Sequence, residues 1–220
     1  MLRTGRCVGG AAIIKGMLYI VAGFDPRYQS LSSIEVFNIT ADGCTRCVAH
    51  SIPSLKEARC SFALVVRGDE MFILGGCDDD NANLQSCEVI NTSTNKRYDL
   101  PALNEARFGA AAVLHDDHLV VMGGLQGDNQ FLKTVECYSF DTRSWTYLQP
   151  LTVPRVGNFS FVYNDKIFAI GGEYRTKFNS DHPETRKLLY SIECYDPATS
   201  TWSVYHDIEI PLIYPYVCAL

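Results

Sequence analysis

The sequence predicts an all-β protein assembled from four consecutive repeats, each of four antiparallel strands. Three observations carry that expectation. Sliding the 220-residue chain against itself aligns Arg6, Arg59, Arg107 and Arg155 at offsets of 53, 48 and 48 residues. The same offsets align the doublets Ala22-Gly23, Gly75-Gly76, Gly123-Gly124 and Gly171-Gly172. Between these marks the apolar residues come in short β-branched runs bounded by turn formers, with no helical periodicity anywhere.

Each copy opens on an apolar run: Val8 to Ile14, Ser61 to Val66, Gly109 to Leu114 and Phe159 to Tyr163. A tight link follows, at Lys15-Gly16, Gly68-Asp69, Asp116-Asp117 and Asn164-Asp165, residue types that tolerate the positive φ of two-residue hairpins. The second strand then runs back, as Leu18 to Ala22, Met71 to Leu74, Leu119 to Met122 and Ile167 to Ile170. The doublet ends it, because glycine takes positive φ without a Cβ penalty and admits neighbouring backbone. Connections of unequal length come next: Phe24 to Ser33, Cys77 to Ser86, Leu125 to Thr134 and the long, mostly polar Glu173 to Ser191, an exposed insertion. The third strand carries Ile34-Glu-Val-Phe37, Cys87-Glu-Val-Ile90, Val135-Glu-Cys-Tyr138 and Ile192-Glu-Cys-Tyr195. Trp145 and Trp202 open the fourth, a position filled by Cys44 and Arg97 in the first two copies. Four antiparallel strands per repeat describe one blade of a β-propeller.

A period of about 50 residues that combines an apolar run, a glycine pair, Glu-x-aromatic and Trp resembles the kelch repeat. The resemblance covers almost the whole chain. It implies a kelch-type β-propeller segment spanning 1–220, with four four-stranded blades at 5–52, 53–100, 101–150 and 151–210. A fifth repeat begins at 211–220, with Tyr216 where the arginine is expected, so a fragment of a larger ring is anticipated. The chain is most similar to the BTB-Kelch adaptors, which implies a protein-interaction module recognising substrates for a cullin-type ubiquitin ligase in the cytoplasm. An actin or cytoskeletal scaffold is an alternative reading, as is a kelch-fold enzyme such as a sugar epimerase or copper oxidase.

Composition narrows the classes. A formal charge of −6 and a pI near 5.3 offer no electrostatic footprint for nucleic acid or an anionic membrane. No run approaches the roughly 18 apolar residues of a membrane span. Nine cysteines is an odd number, and Cys137 and Cys194 share one interior-looking strand position, which reads as reduced, buried thiols. The chain enters its first repeat directly from Met1-Leu-Arg-Thr-Gly-Arg6, so the Asn-x-Ser/Thr triplets at Asn38, Asn91 and Asn158 carry no glycosylation expectation.

Of the chemistry-bearing motifs, Cys44-Thr-Arg-Cys47 lacks the second ligand pair of a structural zinc site. His115-Asp-Asp-His118 aligns with the hairpin turns Arg67-Gly-Asp-Glu70 and Tyr163-Asn-Asp-Lys166 in other copies, which favours a turn over a metal site. The loop Cys77-Asp-Asp-Asp-Asn-Ala-Asn83 lacks the glycine and terminal glutamate of a calcium loop. No Ser-His-Asp or paired-carboxylate signature survives alignment of the repeats, so no catalytic residue, metal or cofactor is expected. The recurring arginine admits two roles. It can tie neighbouring blades through backbone carbonyls or the repeated Glu35, Glu88, Glu136 and Glu193. Alternatively, as the kelch resemblance implies, it can face a binding bowl, where its fork of donors suits a carboxylate or phosphate. On the second reading Arg6, Arg59, Arg107 and Arg155, with loop residues Asp78, Asp79 and Asn129, bind a protein or peptide partner bearing acidic or phosphorylated residues.

Overall fold

The computed structural model describes residues 2–40, 43–46, 52–127, 130–175 and 186–212, and no helix occurs among them. The first blade comprises β1 (Gly10–Ile14), β2 (Met17–Val21), β3 (Ile34–Thr40) and β4 (Gly43–Arg46). The second comprises β5 (Ala63–Arg67), β6 (Glu70–Leu74), β7 (Cys87–Asn91) and β8 (Lys96–Leu100). In the third, β9 (Ala111–His115) and β10 (His118–Met122) are followed by a small hairpin, β11 (Leu125–Gln126) and β12 (Gln130–Phe131), before β13 (Val135–Ser139) and β14 (Ser144–Leu148). The fourth repeats this plan with β15 (Phe159–Tyr163), β16 (Lys166–Ile170), a hairpin of β17 (Glu173–Arg175) and β18 (Arg186–Leu188), β19 (Ser191–Asp196) and β20 (Thr201–Asp207). Each blade is an antiparallel meander in which strands pair in chain order. The two hairpins lie in connections read from sequence as plain loops.

In the first three copies the innermost strand starts two residues later than its apolar run suggests. Val8, Ser61 and Gly109 take φ of 54°, 50° and 62°, and Gly157 follows at 65°, which turns the backbone out of the strand. That turn aims main-chain groups around the channel. The Ser61 N–H donates to the Val8 carbonyl at 2.9 Å, Gly109 to Ser61 at 2.8 Å and Gly157 to Gly109 at 2.8 Å. Blade is thus joined to blade by one backbone bond at the same repeat position, and the backbone hydrogen-bonding capacity outside the sheets is used rather than wasted.

The doublets make a second junction. Gly23 donates to the Arg59 carbonyl at 3.0 Å, Gly76 to Arg107 at 2.8 Å, Gly124 to Arg155 at 2.8 Å and Gly172 to Leu212 at 2.6 Å. In the fourth blade the acceptor is thus Leu212, and Tyr216 lies outside the described residues. At Gly123, φ is 67° and a Cβ would collide with the Arg155 carbonyl oxygen, so both conformation and space demand glycine.

The core lies between blades. One cluster unites Val36 and Ile14 of the first blade with Met71, Ile73 and Ile90 of the second. A second packs Phe72, Val89 and Leu103 against Leu119, Tyr138 and Trp145. A third packs Val120, Met122 and Leu151 against Ile167, Tyr195 and Trp202. The two tryptophans fill equivalent sites, each tilted against the tyrosine opposite it, at centroid distances of 5.1 Å from Tyr138 and 5.3 Å from Tyr195. The position opposite is Arg97 in β8, as expected, but Arg46 in β4, because the register pairs Phe37 with Arg46 and Ile39 with Cys44.

Candidate partner-binding face

Strand direction decides where a partner can be met. In an antiparallel meander whose chain enters at the start of the inner strand, both the connection from strand two to strand three and the crossing to the next blade fall at one end. The other end holds only tight turns. The described parts of the long connections, 24–33, 77–86, 125–127, 130–134, 173–175 and 186–190, therefore lie at the end that carries the glycine doublets and the arginines.

The arginines do not line a bowl there. Arg59, Arg107 and Arg155 have side chains with 0% exposure, and that of Arg6 has 4%. The Arg107 guanidinium donates from Nη1 to the carbonyls of Gly123 (2.7 Å) and Thr134 (3.0 Å), and from Nη2 to Glu136 (2.9 Å). Arg59 makes the same set to Gly75, Ser86 and Glu88, Arg155 to Gly171, Ser191 and Glu193, and Arg6 to Ala22, Ser33 and Glu35. Each glutamate also accepts main-chain N–H bonds from the segment that enters its blade: Glu136 from Asn104 (2.7 Å) and Glu105 (3.2 Å), Glu88 from Lys56 (2.6 Å). Meanwhile the arginine main chain reaches backwards. The Arg107 N–H donates to the Leu84 carbonyl at 3.1 Å and its own carbonyl accepts from Gly76. One residue thus clasps the preceding blade with its backbone and its own blade with its side chain. The partner-facing reading of these four residues is corrected: the guanidiniums have almost no solvent access and their Nη groups are spent on carbonyls and a carboxylate, and the Nε–H groups of Arg6 and Arg155, though unpartnered, are buried out of a ligand's reach.

Burial alone would raise the Glu35 carboxyl, but N–H groups of Arg3 and Thr4 and the Arg6 guanidinium outweigh it and hold Glu35 below its ordinary value of 4.5. The folded state then binds fewer protons than the unfolded chain between the two values. Stability from this group is complete above about pH 4.5 and is lost as pH falls through the depressed folded value. Glu35→Gln is expected to flatten the acid limb of a thermal-midpoint-versus-pH curve. An unchanged limb would count against the assignment.

The loops themselves are cross-braced. Asp78 is half-buried, and its Oδ1 accepts from the N–H groups of Asp80 (3.0 Å) and Ala82 (2.9 Å), a turn that Asp25 repeats with Arg27 (2.8 Å) and Gln29 (3.0 Å). Asp79 is exposed and accepts from the Ser30 N–H of the preceding blade's loop. Asn83 Nδ2 donates to the Leu125 carbonyl at 2.9 Å. Asp78 is thus a turn former rather than a contact residue, and Asp79 combines exposure with a bracing bond. Asn129 lies outside the described residues. Missed in the sequence, but prominent here, is Tyr28 at 82% exposure, beside exposed Arg27. Inside the arc, Ala12, Leu64, Val66, Ala112, Leu114 and Phe161 line an apolar groove of about 430 Å³.

At the turn end, Lys15 meets Asp69 (2.6 Å), Arg67 meets Asp117 (2.7 Å) and His115 meets Asp165 (3.1 Å), one contact per blade junction, with the aspartates at one repeat position and Lys15 one place later than Arg67 and His115. His115, Asp116 and Asp165 bring ligand atoms within 4.8 Å of one another, so Asp165 of the next blade, not His118, completes that cluster. The aligned aspartates, each reached by a side chain of the preceding blade's turn, identify it as one link in the chain of turns. Cys7, Cys60, Cys77, Cys87, Cys137 and Cys194 are free thiols. Cys194 is buried and Cys137 is half-buried, with burial raising both above the usual thiol range. Cys47 lies outside the described residues. Asn158 is buried, so its triplet presents no acceptor.

Comparison with known proteins agrees with this architecture. The family model of the KLHDC2/KLHL20/DRC7 Kelch-repeats domain matches residues 9–211. Among solved structures the chain is similar to one described as the structure of YjhT, with a TM-score of 0.71 and 12% identity over 93% of this chain and 70% of that one. At that identity the likeness concerns the fold. No curated protein matches the chain significantly.

Proposed function

Since the chain belongs to the KLHDC2/KLHL20/DRC7 Kelch-repeats family, whose propellers generally bind proteins, we propose that it is a protein-interaction module and the substrate-recognition part of a cullin-type ubiquitin ligase adaptor. The observation that carries the reading is the one-sided placement of the long connections, braced loop to loop by Asp79 and Asn83. A rigid scaffold that presents variable loops on one end is suited to recognition. Withdrawal of the guanidiniums changes the partner chemistry. The loop end presents exposed Asp79 and Asp80 together with exposed Arg27, Lys133, Arg175 and Lys187 and the exposed ring of Tyr28, a mixed-charge surface with one aromatic anchor that suits a partner segment of alternating charge.

Capture of the full-length protein and its Tyr28→Ala variant from the same reducing lysate tests this. Tyr28 makes one ring contact, to Phe24 at 6.2 Å, so the variant should fold within about 0.5 kcal/mol of wild type. The expected outcome is that both forms retain a cullin scaffold while the variant loses bound substrate proteins about tenfold. Absence of any cullin, or an identical substrate set for both forms, would contradict the proposal.

A further inference from the structure

The Cys60 and Cys77 sulfurs lie 3.1 Å apart, both in buried side chains. The two residues form an isolated antiparallel bridge, each N–H donating to the other's carbonyl at 3.0 Å. Directly opposed, doubly bonded residues of such a pair have Cα atoms roughly 5.5 Å apart, inside the roughly 4.4–6.8 Å window that a disulfide spans. The same bridge recurs as Cys7 with Phe24, Phe108 with Leu125 and Val156 with Glu173. The repeat therefore needs no thiol there, and the second blade alone among these bridges supplies two.

We infer that Cys60 and Cys77 form a reversible redox modification site, a dithiol that a hydroperoxide converts to an intrachain disulfide. The Cys77 thiol donating to the Cys60 sulfur, helped by the hydroxyls of Ser61 and Ser30, holds Cys60 below the ordinary thiol range against its burial. The same contact, together with burial, drives Cys77 upward. Cys60 is thus the attacking sulfur and Cys77 the resolving one. By contrast, burial pushes Cys87 up to about 12 and raises Cys137 and Cys194, which leaves them poor nucleophiles. In the first step the Cys60 thiolate, its proton lost to solvent, attacks hydrogen peroxide. An S–O bond forms, the O–O bond breaks, and hydroxide leaves and takes up a proton, giving water and a sulfenic acid. The Cys77 sulfur then attacks the Cys60 sulfur, the S–S bond forms, and the S–O bond breaks with loss of a second water that carries the Cys77 proton. Two thiols are oxidised and one peroxide is reduced by the same two electrons. The bond would fasten the entry to β5 to the connection that bears Asp78 and Asp79.

The test is thiol mapping of the full-length protein, purified reduced, treated with stoichiometric hydrogen peroxide and then alkylated under denaturing conditions. Trypsin with a protease cutting before aspartate separates Cys60, Cys77 and Cys87 into different peptides. The expected result is a Cys60–Cys77 cross-link lighter by two hydrogens and reversed by dithiothreitol, with alkylation at both positions falling about tenfold while Cys87 stays accessible to the reagent. In Cys77→Ser, dimedone should label Cys60 as the trapped sulfenic acid. Full alkylation of both residues in oxidised wild type, or cross-links of either to other cysteines instead, would overturn the inference whether or not the variant folds.

Discussion

Arg107→Ala is expected to cost about 3–5 kcal/mol of stability, because it leaves a buried carboxylate without its counter-charge. Glu136 has 0% side-chain exposure and keeps only the N–H bonds from Asn104 and Glu105 in the variant, while the Gly123 carbonyl loses its donor and the Thr134 carbonyl keeps only the Gly123 N–H. Replacing both members of a buried pair with apolar residues is often neutral, but that escape is closed here. The double variant would strand main-chain groups on both sides of the blade entry, each costing about 1–3 kcal/mol. Arg107→Lys should recover little, since one ammonium cannot reproduce a fork that meets two carbonyls and a carboxylate. Equilibrium urea unfolding followed by circular dichroism reads the loss. A midpoint within error of wild type would remove the bracing role.

Trp145→Ala should cost a similar amount, about 3–5 kcal/mol, from the cavity it leaves between the second and third blades. The ring is 8% exposed, sits against Tyr138, and donates its indole N–H to the Pro101 carbonyl at 2.9 Å across the junction. Trp145→Phe keeps most of the contact but loses that bond, so a penalty nearer 1 kcal/mol plus some packing loss is expected. The second blade solves the same junction differently, with Arg97 donating to the Ser54 carbonyl at 3.0 Å from a side chain 35% exposed. Arg97→Ala should therefore cost much less than Trp145→Ala. Equal midpoint shifts for the two would show that burial of the indole is not what seals the junction.

Blade number, strand order and the glycine doublets were legible because they depend on local chemistry repeated in register. The bracing role of the arginines was legible only as one of two readings, because their acceptors come from three separate stretches of chain and the sequence does not show which side chains become buried. A usable signal did exist. Arginine and glutamate are separated by 29 residues in three copies and by 38 in the fourth, so the pair survives the insertion of Glu173 to Ser191. A partner-binding arginine has no reason to track a glutamate in this way. The strand starts were misjudged at Val8 and Ser61, where apolar or strand-like residues adopt positive φ under the demands of the inter-blade bond. The opposition of Arg46 rather than Cys44 to Phe37 depends on a turn length that composition does not fix. The Cys60–Cys77 contact follows from repeat register, which brings Cys7 to Phe24 by the same spacing, yet only coordinates show that the two sulfurs point at each other.

The central claim is that the arginines hold the blades while the exposed loop end meets the partner. It is tested most directly by measuring, in one experiment, captured substrate per folded molecule and the unfolding midpoint for Arg107→Ala and Tyr28→Ala. A crossed result is expected: Arg107→Ala loses stability with capture per folded molecule unchanged, and Tyr28→Ala loses capture with the midpoint unchanged. An Arg107→Ala protein of wild-type stability that no longer captures substrate would contradict it.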